Sequence, residues 1–394
     1  MHKVFIDLGY GDAGKGISVA RAVMNEPTAA VVKFAGGAQC AHNVVIGGRH
    51  HTFSQFGSGA LFGAPTLLTD DFIVDIPALW LEADALGKLG VTDPMSKIVI
   101  SEDALVITQA MIAANRRAEN VRGAHRHGST GRGIGMTVAY DVATGNGVRA
   151  KDLYDLNTLI HKIDMQRRWL LDEYNMGLQF PVRHEAEQIF AQSASITVMP
   201  EDYAIELFEA KHSSLFFEGS QGVLLDENIG FFPHVTRATT TSKNAERILR
   251  ILGGEYKVYG VIRTYMTRHG AGPLPTEISS AIFDNDHNAW GLYQGAFRRG
   301  LFDYEAIAYA LKHQRVDGLI VTHGDVTLPV AFGPKYEDWA YGDFADRMDH
   351  TERLMQLNLD SYDQAEIANP LGIARLYDLP LVQAGYGPSV YDYV

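Results

Sequence analysis

The sequence predicts an α/β fold: a largely parallel central sheet with helices on both faces, a P-loop-like phosphate loop after the first strand, and long loops around a site. Short apolar, often β-branched runs bounded by Gly, Asp or Pro recur along the chain, with helical stretches between them. Alternation of that kind is what a buried parallel sheet with crossover helices requires.

The runs at residues 3–8, 29–34, 97–101, 214–217, 257–265, 317–322 and 379–383 read as strands. Residues 151–176 read as a helix because Leu153, Leu156, Ile160, Ile163 and Leu170 recur at helical spacing, and residues 304–313 read likewise. Neither internal repeat nor Pro/Ser-rich linker interrupts the pattern, so residues 1–394 are expected to form one domain with long functional loops. With 394 residues, 46% of them hydrophobic, the chain can bury a large core.

Composition also narrows the partners. A formal net charge of −13 repels duplex nucleic acid, so an anionic ligand must be held by local cations and backbone N–H groups. Cys40 is the only cysteine, which excludes an intramolecular disulfide and fits a reducing cytoplasm. The first residues run into a strand and a glycine loop without the pattern of a signal peptide. No apolar run approaches the ~20 residues of a membrane helix. A soluble cytoplasmic protein is expected, acting without nucleic acid or membrane.

The first chemical motif is residues 8–16, LGYGDAGKG, before a helical stretch at 17–24. Gly9, Gly11 and Gly14 fit the dinucleotide fingerprint, while Gly9, Gly14 and Lys15 fit the start of a P-loop. Both place backbone N–H groups around phosphate at a helix N-terminus. The dinucleotide reading wants an acidic residue roughly 20 positions on, where this chain has Lys33. The P-loop reading wants Ser or Thr after the lysine to hold magnesium. Gly16 stands there instead, and Asp12 within the loop is the hard oxygen ligand on offer.

The GDxGKG form resembles the adenylosuccinate synthetase family, and further segments match it in order. Residues 36–43 (GGAQCAHN) are similar to GGxNAGHT, 128–135 (GSTGRGIG) to GTTGRGIG, and 217–226 (FEGSQGVLLD) with 233–236 (PHVT) to FEGAQGTLLD and PFVT. Residues 267–277 (TRHGAGPLPTE) are similar to TRVGAGPFPTE, and the tail resembles the family faintly at Gly385–Pro388. The resemblance implies a C–N ligase of purine biosynthesis. A nucleoside triphosphate, ATP or GTP, phosphorylates the 6-oxygen of a purine nucleoside monophosphate, and L-aspartate displaces that phosphate. Magnesium and a homodimer are implied with it.

On that resemblance Asp12 is the general base at N1 and a magnesium ligand, His42 the general acid on the 6-oxygen, and Lys15 the cation at the transferring phosphoryl group. Ala41 offers a carbonyl to the metal. Gly11, Gly14, Gly16 and Asn43 are nucleotide or phosphate contacts, Ser129, Thr130 and Thr236 surround the 5′-phosphate, and Gln221 meets the purine. Taken singly, these Ser and Thr residues also read as caps or turns, and Arg132 as either a phosphate ligand or a turn residue.

Departures from the family bear on substrate. Residues 322–326 read THGDV where the family has TKLDV. Asp325 keeps its acceptor for the triphosphate base, but the lysine is gone, so ATP or dATP becomes an alternative to GTP. Residues 290–303 replace a loop that binds aspartate and whose first arginine sits by the ribose 2′-hydroxyl. Gly or Phe at that position tolerates a deoxyribose. Arg298 is the candidate for the aspartate carboxylate, because a guanidinium pairs with carboxylate bidentately. The variant loop, from His287 and Asn288 through Trp290 to Arg298, resembles the short archaeal and phage branch, whose phage enzymes join aspartate to dGMP on the route to 2-aminoadenine. Ala13 stands where the family has Glu and gives room for a 2-amino group. The family's interface arginine aligns with Thr144, leaving Arg149 nearest. The expected acceptor is dGMP, the alternative is IMP in AMP synthesis, and a silent nucleotide-binding relative and a dehydrogenase stand further off.

Overall fold

The computed structural model describes residues 1–123, 128–177, 181–279, 293–334 and 346–394. Its centre is a nine-stranded sheet in the order Leu381–Ala384, Gly318–Thr322, Tyr256–Arg263, His2–Asp7, Leu215–Gly222, Ala30–Lys33, Thr66–Leu68, Ile98–Ser101 and Thr197–Met199. Every neighbouring pair is parallel. Both faces are covered, because alternate residues of each strand enter different layers. Phe5, Val31 and Phe216 pack with helices Lys15–Asn25, Ile76–Lys88 and Leu156–Tyr174. Val4, Ile6, Val32 and Phe217 pack with Glu201–Lys211, Lys243–Leu252 and Tyr304–His313. This is the α/β architecture the strand and helix pattern predicts.

The structure also differs from expectation in particular places. The run 257–265 is two strands: Tyr256–Arg263 belongs to the central sheet, while Tyr265–His269 pairs antiparallel with Phe297–Asp303 in a second sheet. Thr264 makes the break, its N–H on the Thr322 carbonyl and its hydroxyl on the His323 carbonyl at 2.6 Å. The long helix starts later than periodicity suggests. A 3-10 turn at Ala150–Tyr154 precedes it, and Asp155 caps Leu156–Tyr174 by accepting from the N–H groups of Asn157 and Thr158. The strands Thr66–Leu68 and Thr197–Met199 are too short to show a period. No described helix is long and apolar enough to cross a membrane.

Candidate active site

The carboxyl ends of the central strands deliver Asp7, Lys33, Gly222, Arg263 and Thr322 to one edge of the sheet, where open α/β sheets bind ligands. The glycine loop leaves the first strand here and enters helix Lys15–Asn25. Gly14, at φ 97°, starts that helix without a side-chain cap, so the N–H groups of the first turn remain available to an anion. Asp12 also has a positive φ, 59°, and Arg263 holds it by donating Nε–H to its carbonyl at 2.6 Å.

Asp7 is the anchor of the loop. Its carboxylate accepts from the N–H groups of Gly9 at 2.8 Å, Gly11 at 3.3 Å and Ala13 at 2.8 Å, and pairs with the Lys15 ammonium at 3.1 Å. On the other side stands the hairpin His42–Ile46 with Arg49–Phe53, turned by Gly47 and Gly48 at φ 52° and 77°. It brings His42 so close that a Cβ on Gly16 would lie 2.5 Å from the His42 Cβ. The requirement at position 16 is therefore the absence of a side chain.

His42 Nδ1 meets the carboxylate of Glu218, which also accepts from the Ser58 N–H at 2.9 Å and hydroxyl at 2.5 Å. Lys33 stands directly across from Glu218 in the sheet register. Burial alone would raise the Glu218 carboxyl, but the charges of Lys33 and His42 and the hydrogen bonds from His42 and Ser58 outweigh it and hold the group at about 2. Burial dominates at His42 and keeps the imidazole below its ordinary value, against the pull of Glu218. With Nδ1–H on Glu218, Nε2 is the ring nitrogen left for a ligand.

These parts line a cavity of about 330 Å³. Gly11, Asp12, Lys15, Ala41, His42, Ser129, Thr130, Gln221 and Thr236 all border it. Ser129 is fixed by the Asn115 amide at 3.0 Å, and Gln221 has φ 59° and a buried side-chain oxygen without a hydrogen-bond partner. Asp12 Oδ2 lies 3.3 Å from His269 Nε2. Burial would raise the Asp12 carboxyl, yet the hydrogen bond and charge of His269, with Arg263 and Lys15, hold it below its ordinary value. Asp12 and Ala41 both border the cavity, and a carboxylate with a backbone carbonyl suits magnesium, which needs few protein oxygens beside phosphate and water. Among the described residues no cluster of three or more His, Cys, Asp or Glu offers a more complete metal site.

Other predicted residues sit elsewhere. Gly14 and Gly16 do not border the cavity, and Asn43 is on the exposed side of the hairpin, accepting from the Thr52 hydroxyl at 2.6 Å. Asp325 is exposed in the loop after Gly318–Thr322. Arg298 does not border the cavity: its guanidinium donates to Glu277, at 3.0 Å from Nε, and to the carbonyls of Gly270 and Gly272. Arg149 is bound to Asp141 and the Asp103 carbonyl, the Thr144 hydroxyl to the Tyr140 carbonyl, and Arg132 is exposed. His287, Asn288, Trp290, Gly291 and Leu292 lie outside the described residues. Sequence reasoning assigned no role to Asp7, Glu218 or His269, and passed over Arg237, which stands exposed on the cavity rim. The signal for the first two was present: an acidic residue inside or closing an apolar strand needs a partner.

An adenylosuccinate synthetase family model matches residues 4–352. The chain belongs to the adenylosuccinate synthetase family. It is 32% identical to the enzyme of Cyanothece sp. over 345 residues, covering 82% of this chain and 74% of that one. Against the Thermoplasma volcanium enzyme the figures are 29% over 332 residues, with 82% and 75% covered. The fold is similar to the fully ligated adenylosuccinate synthetase of Plasmodium falciparum, with TM-score 0.82, 18% identity and 100% and 99% of the two chains covered. It is also similar to the succinoaminodeoxyadenylate synthetase of cyanophage S-2L bound to dGMP and dATP, with TM-score 0.63, 16% identity and coverage of 100% and 94%.

Proposed function

We propose that this ligase joins L-aspartate to C6 of a purine nucleoside monophosphate through a 6-phosphoryl intermediate, that dGMP is its favoured acceptor, and that it works as one domain in a homodimer. The observation that carries the chemistry is the convergence of Asp12, Lys15 and His42 on one cavity. Asp12 takes the N1 proton as the 6-oxygen attacks the γ-phosphoryl group of the triphosphate. A carboxyl held below its ordinary value is a reluctant base, so proton and phosphoryl transfer run together, with Lys15 neutralising charge on the phosphoryl oxygens. His42, anchored through Nδ1 by Glu218, directs Nε2 at the 6-oxygen; when the ring takes up a second proton, the form that the Glu218 carboxylate favours against burial, it donates Nε2–H to that oxygen as phosphate leaves. The aspartate amine forms the C6–N bond and inorganic phosphate departs with the former 6-oxygen. Magnesium would be held by Asp12 and the Ala41 carbonyl and would supply charge neutralisation at the phosphates.

The preference for dGMP is supported by the segment that replaces the family's aspartate and ribose loop. Phe297 is buried there, its ring 4.7 Å from that of His269, the partner of Asp12. A phenyl ring offers no hydrogen bond to a 2′-hydroxyl, and Ala13 is a smaller side chain beside Asp12 than the Glu of the family motif. Asp325 beyond the phosphate loop suits the amino group of an adenine donor as well as a guanine, so ATP or dATP serves as triphosphate. IMP is the second reading, favoured by relatives such as the Cyanothece and Thermoplasma enzymes, which are named adenylosuccinate synthetases.

The test is an acceptor matrix. Protein, magnesium and L-aspartate are supplied with ATP, dATP or GTP and offered dGMP, GMP, dIMP or IMP, and products are weighed by mass spectrometry. Succinylated product chiefly from dGMP is expected. Product from IMP alone establishes the second reading, and none from any acceptor defeats both.

A further inference from the structure

Asp7 closes the first strand with 1% of its surface exposed, and no step of the proposed reaction uses it. Its two oxygens divide four donors: Oδ1 accepts from Gly9 and Gly11, and Oδ2 from Ala13 N–H and the Lys15 ammonium. The carboxylate cannot swing away. A Cβ on Gly222 would lie 2.8 Å from Asp7 Oδ1, 2.5 Å from the Gly11 nitrogen and 2.2 Å from the Gly9 oxygen, so the end of strand Leu215–Gly222 closes the space beside it. Lys15 is buried too, at 3%, yet it borders the cavity.

We propose that Asp7 is a positioning residue that acts through Lys15: a fixed anion beneath the phosphate loop holds the ammonium at one place, from which it is shared with the transferring phosphoryl group. The inference rests on the reading of Lys15 as the cation at that group. Two physical demands make the arrangement useful. A flexible four-carbon lysine must not lose its position between turnovers, and a buried ammonium needs a counter-charge before any phosphate arrives. A catalytic cation displaced by about 1 Å costs on the order of 100-fold in rate.

The substitution Asp7→Asn separates positioning from loop shape. Asparagine keeps an oxygen for Gly9 and Gly11 but turns an amide donor towards Ala13 N–H and Lys15. Asp7→Asn, Lys15→Met and the double variant are compared with the parent for kcat, for KM of both nucleotides, and for melting temperature. Asp7→Asn is expected to lower kcat about 100-fold with KM for the monophosphate near the parent's, and the double variant is expected to be no slower than Lys15→Met alone. Effects that multiply, or an Asp7→Asn kcat near the parent's beside a slow Lys15→Met, overturn the inference while leaving the role of Lys15 standing. A parental rate for Lys15→Met overturns both. If Asp7→Asn alone is too unstable to assay, the double variant decides. With the ammonium gone, neutralising Asp7 should raise the melting temperature above that of Lys15→Met, and a fall contradicts the coupling.

Discussion

The glycine loop and the His42 hairpin are held by buried charge. Asp7, Lys15, Lys33, His42 and Glu218 each expose 9% or less of their surface, and ion pairs join Asp7 to Lys15 and Glu218 to His42. The segments around Arg298 and Asp325 are organised differently. Arg298 meets a Glu277 side chain that is 44% exposed, and Asp325 is open to solvent. On the proposed mechanism the first region serves phosphoryl transfer, where donors must be in place before the reaction because reorganisation in the transition state costs rate. The second serves recognition, where this chain departs from its family's motifs. Chemistry is thus proposed to sit on the buried floor, and substrate choice on the more open wall.

The largest expected effects test the floor. Asp12→Asn should lower turnover by roughly 10²–10⁴-fold, the usual worth of a general base, with triphosphate binding measured by calorimetry retained. Turnover near the parent's removes Asp12 from the mechanism, and loss of folding marks it as a structural turn. His42→Asn should fall in the same range without a matching change in nucleotide affinity.

Glu218→Gln should cost about 10–100-fold in kcat, the scale seen when a partner orienting a histidine is lost. It also leaves Lys33 without its opposite charge, at about 3–5 kcal/mol of stability. A variant as stable as the parent would break the contrast between floor and wall. Acid unfolding examines the same pair. Glu218 titrates at about 2 in the fold against 4.5 ordinarily, so its contribution is whole above about 4.5 and is lost as pH falls toward about 2. His42, lowered by burial, begins to destabilise the fold as pH drops below 6.5, its ordinary value. Melting temperature should therefore fall from pH 6.5 downward, with Glu218→Gln flattening the most acidic part of the curve.

Gly16→Ala sets a methyl 2.5 Å from the His42 Cβ and should cost about 1–3 kcal/mol, as overpacking does. Unchanged stability in urea titration would mean that the hairpin moves away at little cost. The smallest effect is expected at the wall: Phe297→Arg should shift the GMP-to-dGMP ratio of kcat/KM upward by roughly tenfold, and no shift would remove Phe297 from sugar selection.

Much of this was legible before the structure. Strand–helix alternation was enough for a parallel sheet because its buried strands are rich in consecutive apolar residues, as in 215–217. Asp12, Lys15 and His42 could be singled out as candidates because they sit in short motifs, and the fold brings them to one cavity. The second sheet was not, since its strands gain their pattern from partners far along the chain, as Tyr265–His269 does from Phe297–Asp303. Asp7 and Glu218 went without roles because a carboxylate's purpose in a strand depends on which cation the register sets opposite. Lys33 illustrates this best: in the sequence it only weakened a dinucleotide reading, and in the sheet it faces Glu218.

The most direct measurement of the central claim uses dGMP carrying ¹⁸O at the 6-position, with ATP, magnesium and L-aspartate, and mass analysis of the phosphate released. The account predicts that the label passes to inorganic phosphate as succinylated nucleotide forms, since the 6-oxygen leaves on the transferred phosphoryl group. Unlabelled phosphate, with the label leaving in water or remaining on the purine, contradicts it.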